Sequence, residues 1–164
     1  MRTRQFIRCF LLWNLILLAN QAMADPLHDA VNSGDIDKVS ALLERGEKIN
    51  AIDTNGDSPL GYAVKTRNQK LIKLLLEHKA DINQKNYVGN TPLIGAIEIG
   101  DIEIARLLIE HGADIDVKNN MGATPKVIAK GVNNKKMVRL LKLTRLKRLL
   151  RSKPAGEDSV AGFE

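Results

Sequence analysis

Four prolines set the frame of this chain: Pro26, Pro59, Pro92 and Pro125 stand 33 residues apart. Ala30, Ala63, Ala96 and Ala129 keep the same period, and so do Leu42, Leu75, Leu108 and Leu141. Leu27, Leu60 and Leu93 follow three of the prolines, and Ile49, Ile82 and Ile115 stay in phase with Gly56, Gly89 and Gly122. A fixed period of this length means a row of similar supersecondary units, none of which can bury its own apolar faces alone. Aromatic residues make up only 4% of the chain, so the core must be built from Leu, Ile, Val and Ala. That composition suits small packed helices better than a sandwich.

Each unit reads the same way. Ser58-Pro59, Thr91-Pro92 and Thr124-Pro125 place a hydroxyl before a proline. This is a helix start, because the proline lacks an N–H that would go unpaired there. A short helix follows, broken at Asn32-Ser33-Gly34-Asp35 and at Ile99-Gly100-Asp101, with glycine suited to a left-handed C-terminal cap. Ile102, Ala105, Leu108 and Ile109 then predict a second helix by their spacing. An extended reach and a glycine turn lead to the next unit. The expected architecture is all-α: four stacked helix-turn-helix units, about 25–56, 57–89, 90–122 and 123–153.

The run Thr91-Pro92-Leu93, Ala96, Gly100-Asp101, Leu107-Leu108 and Gly112-Ala113-Asp114-Ile115-Asp116 resembles the ankyrin repeat. The likeness extends from Asp25 to about Leu143 and implies an ankyrin solenoid with β-turn loops. Some positions depart from it. The histidine that follows the Thr-Pro-Leu motif in that family is present only as His28; Gly61, Ile94 and Val127 take its place elsewhere. In the fourth repeat, Lys126 replaces the leucine, and Arg145 and Arg148 replace the glycine and isoleucine. Terminal repeats face water and are expected to be atypical.

The N-terminal residues are a separate object. Arg2, Arg4 and Arg8 precede an apolar run from Phe10 to Ala19, and Ala22-Met23-Ala24 supplies small residues for cleavage. This is the pattern of a secretory signal peptide over residues 1–24. The run is short of the roughly 20 residues a membrane span needs. Cys9, the only cysteine, would leave with that segment, so the exported chain would carry no disulfide. The expected location is the periplasm; secretion, or anchoring by an uncleaved signal, is the alternative.

Charge divides the rest. Over residues 25–122 acidic residues outnumber basic ones 16 to 11, whereas residues 123–153 hold 11 basic and no acidic residues. Met137, Val138 and Leu141 share one helical face, and Leu143, Leu146 and Leu150 share another, nearly opposite. That jump predicts a helix ending near Lys142–Thr144. A short capping helix would follow over Arg145–Arg151, N-capped by Thr144, its leucines lidding the stack. Arg145, Lys147, Arg148 and Arg151 would solvate this cap or meet an anionic partner such as lipid headgroups. Residues 154–164 read as a disordered acidic tail.

Chemistry finds little foothold. His78 and His111 occupy equivalent helix ends, and no third ligand accompanies them, so no metal or cofactor is expected. Asp35 and Asp37 begin a helix, where acid is favourable, and Asp114 and Asp116 belong to the repeat's own turn. No phosphate loop, zinc-protease motif or nucleophile elbow is present. The expectation is a non-enzyme.

The family resemblance implies that a partner meets the turn tips and the exposed positions of each first helix. Those positions here are Thr54, Asn55 and Asp57; Tyr87, Val88 and Asn90; Asn120 and Met121; and Lys65, Thr66, Glu98 and Ile99. Tyr87, Val88, Ile99 and Met121 are apolar or aromatic where a bare surface would be polar. The reading is a monomeric, exported protein-binding module with one protein partner and no nucleic acid, as in periplasmic stress-protection accessories. An immunity protein neutralising a periplasmic toxin, or an envelope protein docking through its basic C-terminal helix, is the alternative.

Overall fold

The computed structural model describes residues 25–152. The expected signal segment and the acidic tail lie outside the described residues. Among the described residues there are eight α-helices and no strand. They are α1 (Pro26–Ser33), α2 (Ile36–Glu44), α3 (Pro59–Lys65), α4 (Gln69–Glu77), α5 (Pro92–Glu98), α6 (Ile102–Glu110), α7 (Pro125–Gly131) and α8 (Lys135–Ser152). The chain forms two compact units, the first ending at Asp81 and the second beginning at Ile82.

Each unit is a pair of repeats. In the first, α1 packs on α2 and α3 on α4, while α1 meets α3 and α2 meets α4. The second unit repeats the scheme with α5 on α6, α7 on α8, α5 against α7 and α6 against α8. Ala30, Ala63, Ala96 and Ala129 are all fully buried, so the small side chain of that column lets the two first helices within each unit approach. Around it the first unit buries Leu27, Val31, Leu60, Leu71, Ile72 and Leu75, and the second buries Leu93, Ile97, Ile104, Leu108 and Met137.

The helix signals act as predicted at most starts. Ser58 Oγ accepts from Gly61 N at 3.1 Å, and Asp35, Asn68 and Asp101 cap the second helices in the same way. Thr91 is the exception. Its backbone holds the N-cap position, but its hydroxyl is buried and has no hydrogen-bond partner. In the first repeat the residue three positions on is His28, whose Nδ1 lies 3.1 Å from the Asp25 carboxylate, an ion-pair distance without hydrogen-bond geometry. In the third repeat that position is Ile94, which offers the Thr91 hydroxyl nothing polar.

The C-terminal region corrects the sequence reading. No break occurs at Lys142–Thr144: α8 runs unbroken to Ser152. Thr144 caps no new helix; its Oγ1 donates to the Leu140 carbonyl one turn back, at 3.0 Å. The leucines do not form a lid either, for Leu143, Leu146, Leu149 and Leu150 are exposed by 47–66%. The apolar seam does change face: the first half of α8 packs Met137 and Leu141 into the core, while Leu143, Leu146, Leu149 and Leu150 of the second half stay exposed.

Candidate functional site

The turns between repeats are built on a residue the sequence reading passed over. Asp53, Asn86 and Asn119 lie 33 residues apart, each just before a turn tip. In every turn the side-chain Oδ1 of this residue accepts two backbone N–H groups. Asp53 takes those of Asn55 and Asp57, both at 2.8 Å. Asn86 takes those of Val88 at 3.2 Å and Asn90 at 2.9 Å. Asn119 takes those of Met121 at 3.1 Å and Ala123 at 3.0 Å. Backbone bonds close the same loop: Asp53 N to Asp57 O, Asn86 N to Asn90 O and Asn119 N to Ala123 O, at 3.0–3.1 Å. A short side-chain oxygen satisfying its own turn is the expected behaviour of Asp and Asn. The shared period was the available signal, hidden because the column mixes two residue types.

In the first unit this hub sits in a polar network. Tyr62 Oη donates to Asp53 Oδ2 at 2.9 Å, and Lys65 Nζ donates to Asp57 Oδ2 while standing 5.5 Å above the Tyr62 ring. His28 meets the Tyr62 ring edge-on at 5.4 Å, and its Nε2–H donates to the Asp57 carbonyl at 2.9 Å. Burial pushes the Asp53 carboxyl up, but the Asp57 N–H, the Tyr62 hydroxyl and the Asn55 donors together outweigh it, so its pKa lies below the ordinary value. The Tyr62 hydroxyl is raised above its own, chiefly by the bond it donates to Asp53, then by burial and nearby carboxylates.

The sequence placed Asp57 at the tip, and the structure moves it. It is only 6% exposed and serves the network, so it offers a partner little surface. Thr54 and Asn55 remain exposed, as does Thr66, whose hydroxyl donates to the Tyr62 carbonyl at 3.1 Å.

The second unit carries two such turns, and they are bonded to each other. Asn120 N donates to Val88 O at 3.1 Å and Asn120 Nδ2 to Tyr87 O at 2.8 Å. Asn119 Nδ2 donates to Asn90 Oδ1 at 3.1 Å, and Asn90 Nδ2 to Glu98 Oε1 at 3.0 Å. Gly89 makes the close approach possible, since a Cβ there would stand 2.6 Å from Asn120 N and nearer still to Asn120 Oδ1. On this bonded frame Tyr87 is 63% exposed, Val88 57% and Met121 85%. They do not fold beneath the turns. Ile99 is the C-cap of α5 and half-buried, a lesser part of the surface.

Other candidate chemistry resolves into structure. His78 and His111 each donate Nδ1–H to a last-turn carbonyl, Leu74 O at 2.9 Å and Leu107 O at 2.8 Å. Among the described residues no group of three or more His, Cys, Asp and Glu is arranged to hold a metal ion. None of the described helices is long and apolar enough to cross a membrane.

Known proteins resemble this pattern. A family model described as ankyrin repeats (3 copies) matches residues 10–86, and one described as ankyrin repeats (many copies) matches residues 75–126. An ankyrin repeat protein of fowlpox virus (strain NVSL) is 43% identical over 42 residues. That stretch is 26% of this chain and spans only 30% of the viral protein's length.

Proposed function

We propose, from the premise that this chain belongs to the ankyrin-repeat family, that it is a non-catalytic module gripping one protein partner through the turn face of its second unit. Ankyrin-repeat solenoids are protein–protein interaction modules, and their turns and first helices are the surface that varies over a constant core. One observation carries the choice of face. Tyr87, Val88 and Met121 are large, apolar and more than half exposed, on backbone already fixed by the asparagine hubs. Exposed apolar side chains on a rigid frame bind with little ordering cost. Asn120 and Glu98, both exposed, offer polar groups at the margin.

The partner is placed in the periplasm, where the chain would act as a stress-protection accessory. The basic start, short apolar run and Ala22-Met23-Ala24 exit support export.

The test is capture from periplasmic extract by the tagged chain from Asp25, beside the Tyr87→Ala/Met121→Ala double variant. One protein retained in near-equal amount by the wild type and lost by a variant with an unchanged circular dichroism spectrum supports the reading. Equal capture by both proteins refutes this face.

A further inference from the structure

We infer that the second half of α8 is a docking surface for an anionic lipid bilayer, separate from the turn face. At about 100° per residue, Leu143, Leu146, Leu149 and Leu150 fall within one arc, on the side of the helix roughly opposite Met137 and Leu141. All four are exposed, and together they form the longest run of exposed large apolar side chains in the described chain. Four leucines in water on one helix face are costly, and such a stripe marks a contact surface.

Charge selects the occupant. No acidic residue occurs from Ala123 to Ser152; Lys142 falls within the stripe, and Arg145 and Lys147 stand at its margins. Arg145 has only a distant surface pairing, 3.8 Å from Asp116, and Arg148 is turned inward, donating to Ala113 O at 3.0 Å. A second copy of the chain would bring two cationic margins together, which is unfavourable. The concavity beside the stripe, lined by Ile115, Lys126, Leu141, Leu146 and Leu149, holds about 180 Å³, below the several hundred Å³ of an ordinary binding pocket. A bilayer surface needs no concavity. It takes leucines at the boundary between headgroups and acyl chains, and meets long cationic side chains with its phosphates.

Sedimentation with vesicles tests this, using the chain from Asp25, which holds every described helix. One set of vesicles is equal parts phosphatidylglycerol and phosphatidylcholine; the other is phosphatidylcholine alone. The expected result is binding to the first set, weakened by salt as a screened attraction must be. Replacing the four leucines by Ser should lower the partition coefficient at least about tenfold, since each removes a buried apolar side chain. Replacing Lys142, Arg145 and Lys147 by Gln should lower it by a similar factor while keeping the leucines. No binding to the anionic vesicles overturns the inference. So does binding that the serine variant retains, or a wild-type dimer in solution that the serine variant converts to monomer. The Tyr87→Ala/Met121→Ala variant should bind vesicles as the wild type does, which separates this surface from the protein-binding one.

Discussion

The turn of the first unit and the turns of the second share one backbone and use it differently. All three close around an Asp or Asn oxygen at the same repeat position. In the first unit the hub is a carboxylate, tied to Tyr62 and standing beside the Lys65–Asp57 pair, and the tip residues Thr54 and Asn55 are polar. In the second the hubs are amides, the turns are tied to each other, and the tips carry Tyr87, Val88 and Met121. Even the pairing between turn and first helix is reversed. Lys65 donates to Asp57, whereas Asn90 donates to Glu98, across equivalent positions. The scaffold thus tolerates opposite polarities, and the apolar tips of the second unit are not something its folding demands.

The largest expected effect would break the interlock of the second unit. Gly89→Ala places a Cβ against Asn120 at a φ of +79°, and should cost about 3 kcal/mol in urea unfolding, from overpacking and left-handed strain together. Gly122→Ala has a similar φ of +74° but open space, and should cost about 1 kcal/mol. Equal losses would show that the two turns do not support each other.

Helix starts distinguish the units next. Ser58→Ala removes a working cap and should destabilise the protein by about 1 kcal/mol. Thr91→Val removes a buried hydroxyl with no partner and should stabilise it by about 1 kcal/mol. A destabilised Thr91→Val protein would mean that this hydroxyl does cap α5.

A smaller effect lies at the ends of the second helices. Lys79 in the first unit sits at φ 67°, where the second unit has Gly112 at φ 98°. Lys79→Gly should raise the unfolding free energy by up to about 1 kcal/mol through relief of left-handed strain. No gain would mean that the loss of lysine's stiffness in the unfolded chain offsets that relief.

Acid provides the finest distinction. The folded-state pKa of Asp53 is depressed, so its contribution is present above the unfolded value of 3.8 and is lost as pH falls through the lower folded one. Asp53→Asn keeps the Oδ1 acceptor and makes the first hub like those of the second unit. Its stability should therefore fall less steeply than that of the wild type below about pH 4. Parallel acid limbs in the two proteins would show that the carboxylate is not what sets the first turn apart.

Most of the fold was legible because a 33-residue period repeats each local signal. Pro at helix starts, Gly at left-handed ends and the alanine column all fall where the structure uses them. The end of the second helix in repeat four was misread, because a rotated apolar seam resembles a break. A seam reports what a helix faces, not where it stops. Between Val132 and Ser152 there is neither Gly nor Pro. Asp57 was placed at a tip by its position alone. Its burial follows from long-range contacts with Lys65 and His28 that no local pattern records.

Because each hub closes its own turn through backbone groups, the two residues beyond it add little to holding the loop shut. Thr54-Asn55, Tyr87-Val88 and Asn120-Met121 occupy the same two places with unrelated side chains. Apart from Asn120, whose side chain ties its turn to the neighbouring one, drift at these places meets weak selection from folding. A lineage can exchange one binding preference for another there by single substitutions, keeping its core intact, and an engineer can write new letters into the same slots.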